Sequence, residues 1–264
     1  MKLKILVVIL VLGGVGLISY PFISNMYNQH LNNKEISNYD SAIGQLGDEQ
    51  SRKIIEKAEE YNRSHPNIMI KDSFSGEPSP ESREYENTLD PAGDGSMGYI
   101  EIPKINVRLM IFHGTDESVL EHACGHVEGT SLPVGGKNTH CILSAHRGLP
   151  SAKLFTDLDQ VDKNDTFIIS VMGNDLYYKV DRIITVKPDE LSDLKIEPNE
   201  DRVTLLTCTP YGVNSHRLLV SGCRTEHTVT KKAPLPVSVY VIMVVICAAL
   251  ILLVAFVNRY KLRK

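Results

Sequence analysis

Two uncharged apolar runs, one at each end of the chain, keep both termini out of any soluble core. Residues Ile5 to Ile23 carry no charge and follow Lys2 and Lys4; Val237 to Val257 give 21 uncharged positions before the basic tail Asn258-Arg-Tyr-Lys-Leu-Arg-Lys264. As a helix the second run is roughly 30 Å long at about 1.5 Å per residue, the thickness of a bilayer's hydrocarbon core. No small-residue cleavage site follows the first run, so residues 1–24 read as a retained anchor rather than a removed signal peptide. Positive flanks stay cytoplasmic, which puts both ends inside the cell and everything between them outside.

The charge of that exported part narrows its partners. Six of the chain's 28 cations lie in the two ends and none of its 32 acids does, leaving 22 against 32 and a net charge near −10. Phosphate binding needs a basic footprint, so nucleic acid is excluded as the partner. Cys247 falls inside the second apolar run, which leaves Cys124, Cys141, Cys208 and Cys223 exported. Four cysteines spread this thinly do not make a disulfide scaffold, although one pair among Cys124, Cys141 and Cys223 stays open.

Between the spans the pattern changes twice. Residues 25–71 read as a helical extension, with Ile43, Leu46, Ile54, Ile55, Ala58 and Tyr61 on one apolar face, interruptions at Gly44 and Gly47, and a stop near His65-Pro66. Residues 72–98, rich in Ser, Glu, Pro, Gly and Asp, form a long surface loop of the functional or disordered kind. From Tyr99 short β-branched runs take over: 99–102, 107–112, 141–145, 166–171, 176–186, 203–207 and 218–221, with Gly173-Asn174 as a hairpin turn. Many short strands with brief helices suggest a mainly β domain over 99–228, closed as a barrel or packed as a sandwich. A linker at 229–236, the span at 237–257 and the tail at 258–264 complete the chain.

Chemistry concentrates in Thr204-Leu-Leu-Thr-Cys-Thr-Pro-Tyr-Gly-Val-Asn-Ser-His-Arg217. Cys208 ends one apolar strand and Arg217 opens the next, so antiparallel pairing brings sulfur and guanidinium out at the same end of a sheet. A thiolate is the attacking form of cysteine, and the oxyanion it creates needs a donor that never deprotonates. The leaving amine needs an acid, and of nine histidines His146 is the best placed, at the mouth of the strand 141–145 before a Gly-Leu-Pro turn. His216 should face away from Arg217 by strand alternation. His122-Ala-Cys-Gly-His126 is a weak metal signal that lacks a fourth ligand, and Cys141 reads as a small apolar core residue.

The segment around Cys208, with Thr130-Ser-Leu-Pro-Val-Gly-Gly136 and Ser144-Ala-His-Arg-Gly-Leu-Pro150 upstream, resembles the class C sortases, the pilus-assembling type. The resemblance runs from about Tyr39 through the second span. It implies a closed eight-stranded sortase-type β-barrel with short helices, held at the outer face of a Gram-positive cell membrane by a transmembrane helix at each end. It also implies a cysteine transpeptidase that cuts an LPXTG-like sorting signal between Thr and Gly, holds the Thr as a thioester, and passes it to a lysine of the next pilin. By position Cys208 is the nucleophile, His146 the general acid and base, and Arg217 the stabiliser, and no cofactor is called for.

The family also carries a lid with an Asp-Pro-aromatic motif. Asp90-Pro91-Ala92 supplies the acid and the proline but no ring; it reads as a lid in which Asp90 could pair with Arg217 and hold the cleft by charge alone, with an ordinary turn as the alternative. Three other readings compete. The same barrel could anchor proteins to the cell wall instead of polymerising pilins. The chain could itself be a sortase substrate, since an apolar span and basic tail also end sorting signals. However, Leu235-Pro-Val-Ser-Val239 lacks the Thr and Gly of the scissile bond. A receptor-like ectodomain with an incidental cysteine is the third.

Overall fold

The computed structural model describes residues 2–65, 72–75, 83–190 and 194–226. The expected linker, second span and tail all lie outside the described residues.

α1 (Lys2–Gln45) is one helix that begins in the apolar run and ends on the barrel. It passes through Pro21, whose missing N–H removes one helix bond. Over Ile9–Gln45 it is long and apolar enough to cross a membrane, and its apolar window presents nothing to the protein interior: Ile9, Leu10, Leu12, Leu17 and Ile18 are exposed. Farther along, Ile36 and Tyr39 are buried against Met110. The helix breaks at Leu46-Gly47, the second of the two expected interruptions, while Gly44 stays inside α1; α2 (Asp48–Ser64) follows, ending just before Pro66.

β1 (Ser96–Ile102), β2 (Val107–His113), β3 (Cys124–His126), β4 (Thr139–Ser144), β5 (Thr166–Val171), β6 (Asn174–Val186), β7 (Asp201–Thr209) and β8 (His216–Arg224) close into a barrel in the order β1-β2-β3-β4-β7-β8-β6-β5. Seven of these strands coincide with the apolar runs, each within a few residues. β3, three residues long, carries too little alternation to be read from sequence. Gly98 lies at a bulge in β1, and a Cβ there would run into the Ser170 carbonyl of the neighbouring β5, so only glycine fits.

Strand alternation sorts the two faces of the wall. Leu143, Val203, Leu205, Leu218 and Val220 join the interior core, whereas Ile142, Leu206 and Leu219 form a second cluster on the outside, packed with Phe74, Ile184 and Val186. β7 is therefore buried on both faces along most of its length. Cys208 and Arg217 share the parity of the outer cluster, as does position 146 counted on from Ile142.

Two clamps fix the helices that flank the segment 72–75. Asn62 on α2 donates from Nδ2 to the Leu132 carbonyl at 3.2 Å and accepts the Leu132 N–H at 2.7 Å. On α3 (Arg83–Glu86), the Tyr85 hydroxyl meets Nδ1 of the buried His126 at 2.8 Å and accepts the Gly114 N–H at 2.9 Å. His126 Nε2 faces the Ser131 carbonyl at 2.9 Å and must carry the proton, so Nδ1 is left to accept from Tyr85.

Burial holds the His126 imidazole down to about 3 from an ordinary 6.5, against the Ser131 bond that favours the charged form. The folded protein thus binds fewer protons than the unfolded chain between these two values, and stability is lost as pH falls below about 6.5. From pH 7 to pH 5 this one group is expected to cost about 2 kcal/mol. Chemical denaturation of the detergent-solubilised chain at both pH values, against His126→Gln, checks this: the variant should lose less on acidification, and equal losses would contradict it.

Candidate active site

Three neighbouring strands bring the expected residues to one end of the barrel. On the antiparallel pair β7–β8, Cys208 lies directly across from Arg217. β4 runs parallel to β7 with Ser144 opposite Leu206, the Ala145 N–H donates to the Leu206 carbonyl at 3.2 Å, and the Thr207 hydroxyl donates to the Ala145 carbonyl at 2.7 Å. His146, two residues past Ser144, leaves β4 level with Cys208 on β7. Cys208 and Arg217 are both 5% exposed.

The covering residues are not those expected from sequence. Asp72 grips Arg217 with both oxygens: Nε donates to Oδ1 at 2.7 Å and Nη2 to Oδ2 at 2.6 Å. Nη1 donates to the carbonyls of Asn214 and His216, both at 3.1 Å, which locks the fork in place. The Phe74 ring lies 5.2 Å from the His146 ring, and the Arg217 Cζ sits over that same Phe74 ring at 5.2 Å. An acid and an aromatic therefore cover the site, as Asp72-Ser73-Phe74 with serine in the middle position.

The reading of Asp90-Pro91-Ala92 as the lid is corrected by this geometry. Asp90 Oδ1 accepts the N–H groups of Gly93, Asp94 and Gly95 at 2.9 to 3.1 Å, so its carboxylate closes a local turn. Pro91 and Ala92 belong to that turn, which leads into β1. The expectation that no ring covers the site falls with it.

One further neighbour was missed. His146 Nε2 is 3.3 Å from both carboxylate oxygens of Glu117, the first residue of α4 (Glu117–Leu120). A carboxylate can only accept, so the neutral imidazole carries its proton on Nε2 and leaves Nδ1 free to take another. His216 faces away from the cover and bonds the Ser215 hydroxyl through Nδ1 at 2.9 Å. The cysteines Cys124, Cys141, Cys208 and Cys223 are all free, which closes the disulfide question for these four.

Electrostatics make the covered site a resting one. Burial pushes the Cys208 thiol up from its ordinary value, Arg217 pulls it down, Asp72 pushes it up again, and the net shift is upward. For Arg217, burial works against the cation, but its hydrogen bonds to Asp72 and the nearby Cys208 and Asp72 charges outweigh it and hold the charge more firmly. A buried protonated thiol beside a guanidinium already paired with Asp72 is a poor nucleophile. The alkylation rate of Cys208 is expected to rise at higher pH than for an exposed thiol, and Asp72→Asn, which keeps the shape and removes the charge, should move that inflection down. An unmoved inflection would exclude Asp72 from control of the sulfur.

Comparisons with known proteins place the barrel in a family. The Sortase domain family matches residues 100–225, which contain all three catalytic candidates. "Sortase D" of Bacillus subtilis is 28% identical over 137 residues, covering 51% of this chain and 66% of that protein, just under two thirds of its length. The crystal structure of Streptococcus pneumoniae Sortase C is 39% identical, with a TM-score of 0.69, and the match covers 76% of this chain and all of that one. Sortase C1 of Streptococcus agalactiae is 44% identical with a TM-score of 0.67, covering 74% of this chain and all of that one. With its closed eight-stranded barrel, and with class C sortase structures 39% and 44% identical whose whole length it covers, the chain belongs to the sortase family of cysteine transpeptidases.

Proposed function

We propose that this sortase polymerises pilins at the outer face of the membrane, with Cys208, His146 and Arg217 as its catalytic residues. The observation that carries this reading is the convergence of the three on adjacent strands β4, β7 and β8 beneath a cover tethered to the arginine. Similarity to Streptococcus pneumoniae Sortase C, whose structure is described in terms of pilin substrate specificity, supports the substrate class.

Departure of Asp72 frees Nε and Nη2 of Arg217 to bind the substrate carbonyl and its oxyanion. The Cys208 thiolate attacks the Thr carbonyl of an LPXTG-like signal, and protonated His146 gives its proton to the departing Gly amine, leaving a thioester. A pilin lysine amine then attacks the thioester, His146 takes its proton, and the thiolate leaves as the isopeptide forms. The roles need no metal or cofactor.

In this reading residues 1–24 anchor the chain through the apolar part of α1, and the barrel stands outside the cell. The second span at 237–257 supplies the other anchor and leaves both termini in the cytoplasm. Incubating the enzyme with a pilin and identifying products by mass spectrometry tests the task. Pilin polymerisation predicts a Thr–lysine isopeptide that Cys208→Ala does not form. Linkage to a cell-wall peptide would instead favour anchoring.

A further inference from the structure

The way α1 is seated fixes which end of the barrel meets the bilayer. The charge-free run ends at Ile23, and bonding to the barrel starts at the next residue: Ser24 Oγ donates to the Ser151 carbonyl at 2.9 Å, and Asn28 Nδ2 donates to the same carbonyl at 2.7 Å. Asn25 Oδ1 accepts the Lys153 N–H at 3.0 Å. This seat belongs to the loop that His146 opens, because the Phe155 N–H donates back to the His146 carbonyl at 3.1 Å. Asn32 and Tyr39 continue the same helix face, with Asn32 bonding the His122 carbonyl and the Met110 N–H, and Tyr39 the Met97 carbonyl and the Met172 N–H.

Strand register then orients the barrel. Met172 lies at the β5–β6 turn, and β6 runs from that turn to Val186, which pairs with Arg217. The turn and the active site are therefore at opposite ends. Ser24 and Tyr39 are 15 helical residues apart, so the turn end is about 20 Å farther along α1 from the apolar run than the His146 loop.

An independent feature points the same way. Apart from those on α1, Tyr211 and Val213 are the exposed large apolar side chains among the described residues, at 60% and 68%. Both lie on the loop between Cys208 and Arg217. A Cβ on Gly148 would come within 3.1 Å of the Tyr211 ring, which puts this loop beside the seat of α1. Tyrosine at a water–hydrocarbon boundary keeps its ring in the apolar layer and its hydroxyl wet.

We infer that the active-site end of the barrel rests on the lipid surface, with Tyr211 and Val213 entering the headgroup layer. The inference depends on the proposed reading of α1 as a membrane anchor. Protein and pilin would then meet in a cleft that opens at bilayer height rather than toward the wall.

The chain has no tryptophan, so one introduced residue reports its own surroundings. The full chain carrying Val213→Trp, with Tyr211→Trp as a second reporter and Lys137→Trp at the far end, is placed in phosphatidylglycerol–phosphatidylcholine vesicles containing headgroup nitroxide lipid. The expected result is loss of most of the emission, with a blue shift, for positions 213 and 211, and unchanged emission for 137. Flotation of the same vesicles separates the two ways of failing. A chain that does not float overturns the anchor and the orientation together, and one that floats with unquenched 213 and 211 overturns the orientation alone. Emission at 213 that responds to added pilin and not to lipid also overturns it, and assigns the patch to the protein substrate.

Discussion

Replacing Arg217 by lysine is expected to lower kcat/KM toward a sorting peptide by roughly a hundred- to a thousandfold, the usual cost of removing a preorganised oxyanion donor. The expectation follows from how the guanidinium is held. Nη1 is committed to the carbonyls of Asn214 and His216, and this aims Nε and Nη2 at one place in the cleft, now filled by the Asp72 carboxylate. A lysine keeps the charge but has neither the rigid planar fork nor the backbone brace. The loss should appear mainly in kcat, because the donors matter most to the oxyanion. Steady-state kinetics with an unchanged melting temperature checks this, and a variant with near wild-type kcat would remove Arg217 from the transition state.

Asp72→Ala should act in the opposite direction. The cover is held by two charge-assisted bonds, each worth about 1.5–3 kcal/mol, and their loss leaves the buried Arg217 without its counter-ion in the closed form. Since about 1.4 kcal/mol is tenfold in an equilibrium, open population and Cys208 alkylation should rise at least about tenfold. Phe74, against both His146 and Arg217, would still favour closure and limit the gain. Asp90→Ala, whose carboxylate serves only its own turn, should alkylate at the wild-type rate. If Asp90→Ala opens the site and Asp72→Ala does not, the assignment of the cover is wrong.

The grouping of the three proposed catalytic residues was legible because each sits where a local signal ends. Cys208 and Arg217 close and open neighbouring β-branched runs, and His146 follows another, so strand pairing alone brought them together. The cover was not legible in the same way. Asp72 meets Arg217 across 145 positions, and no periodicity spans such a distance. Asp90-Pro91 drew attention through its match to an Asp-Pro pattern, whereas the charge partner is set by where α2 and α3 are clamped by Asn62 and Tyr85. Glu117 lies on a helix of four residues, too short for an amphipathic signal. The seat of α1 uses asparagine and serine, which sequence reading assigns to solvent until the barrel is there to receive them.

The most direct test is the mass of the acyl-enzyme. Asp72→Ala, with its site uncovered, is mixed with an LPXTG-like peptide, quenched in acid and digested. The expected product is the peptide up to its Thr, joined as a thioester to Cys208, with the Gly fragment free and no adduct in Asp72→Ala/His146→Ala. Cleavage that proceeds without an adduct on Cys208, or an adduct that forms equally well without His146, would contradict it.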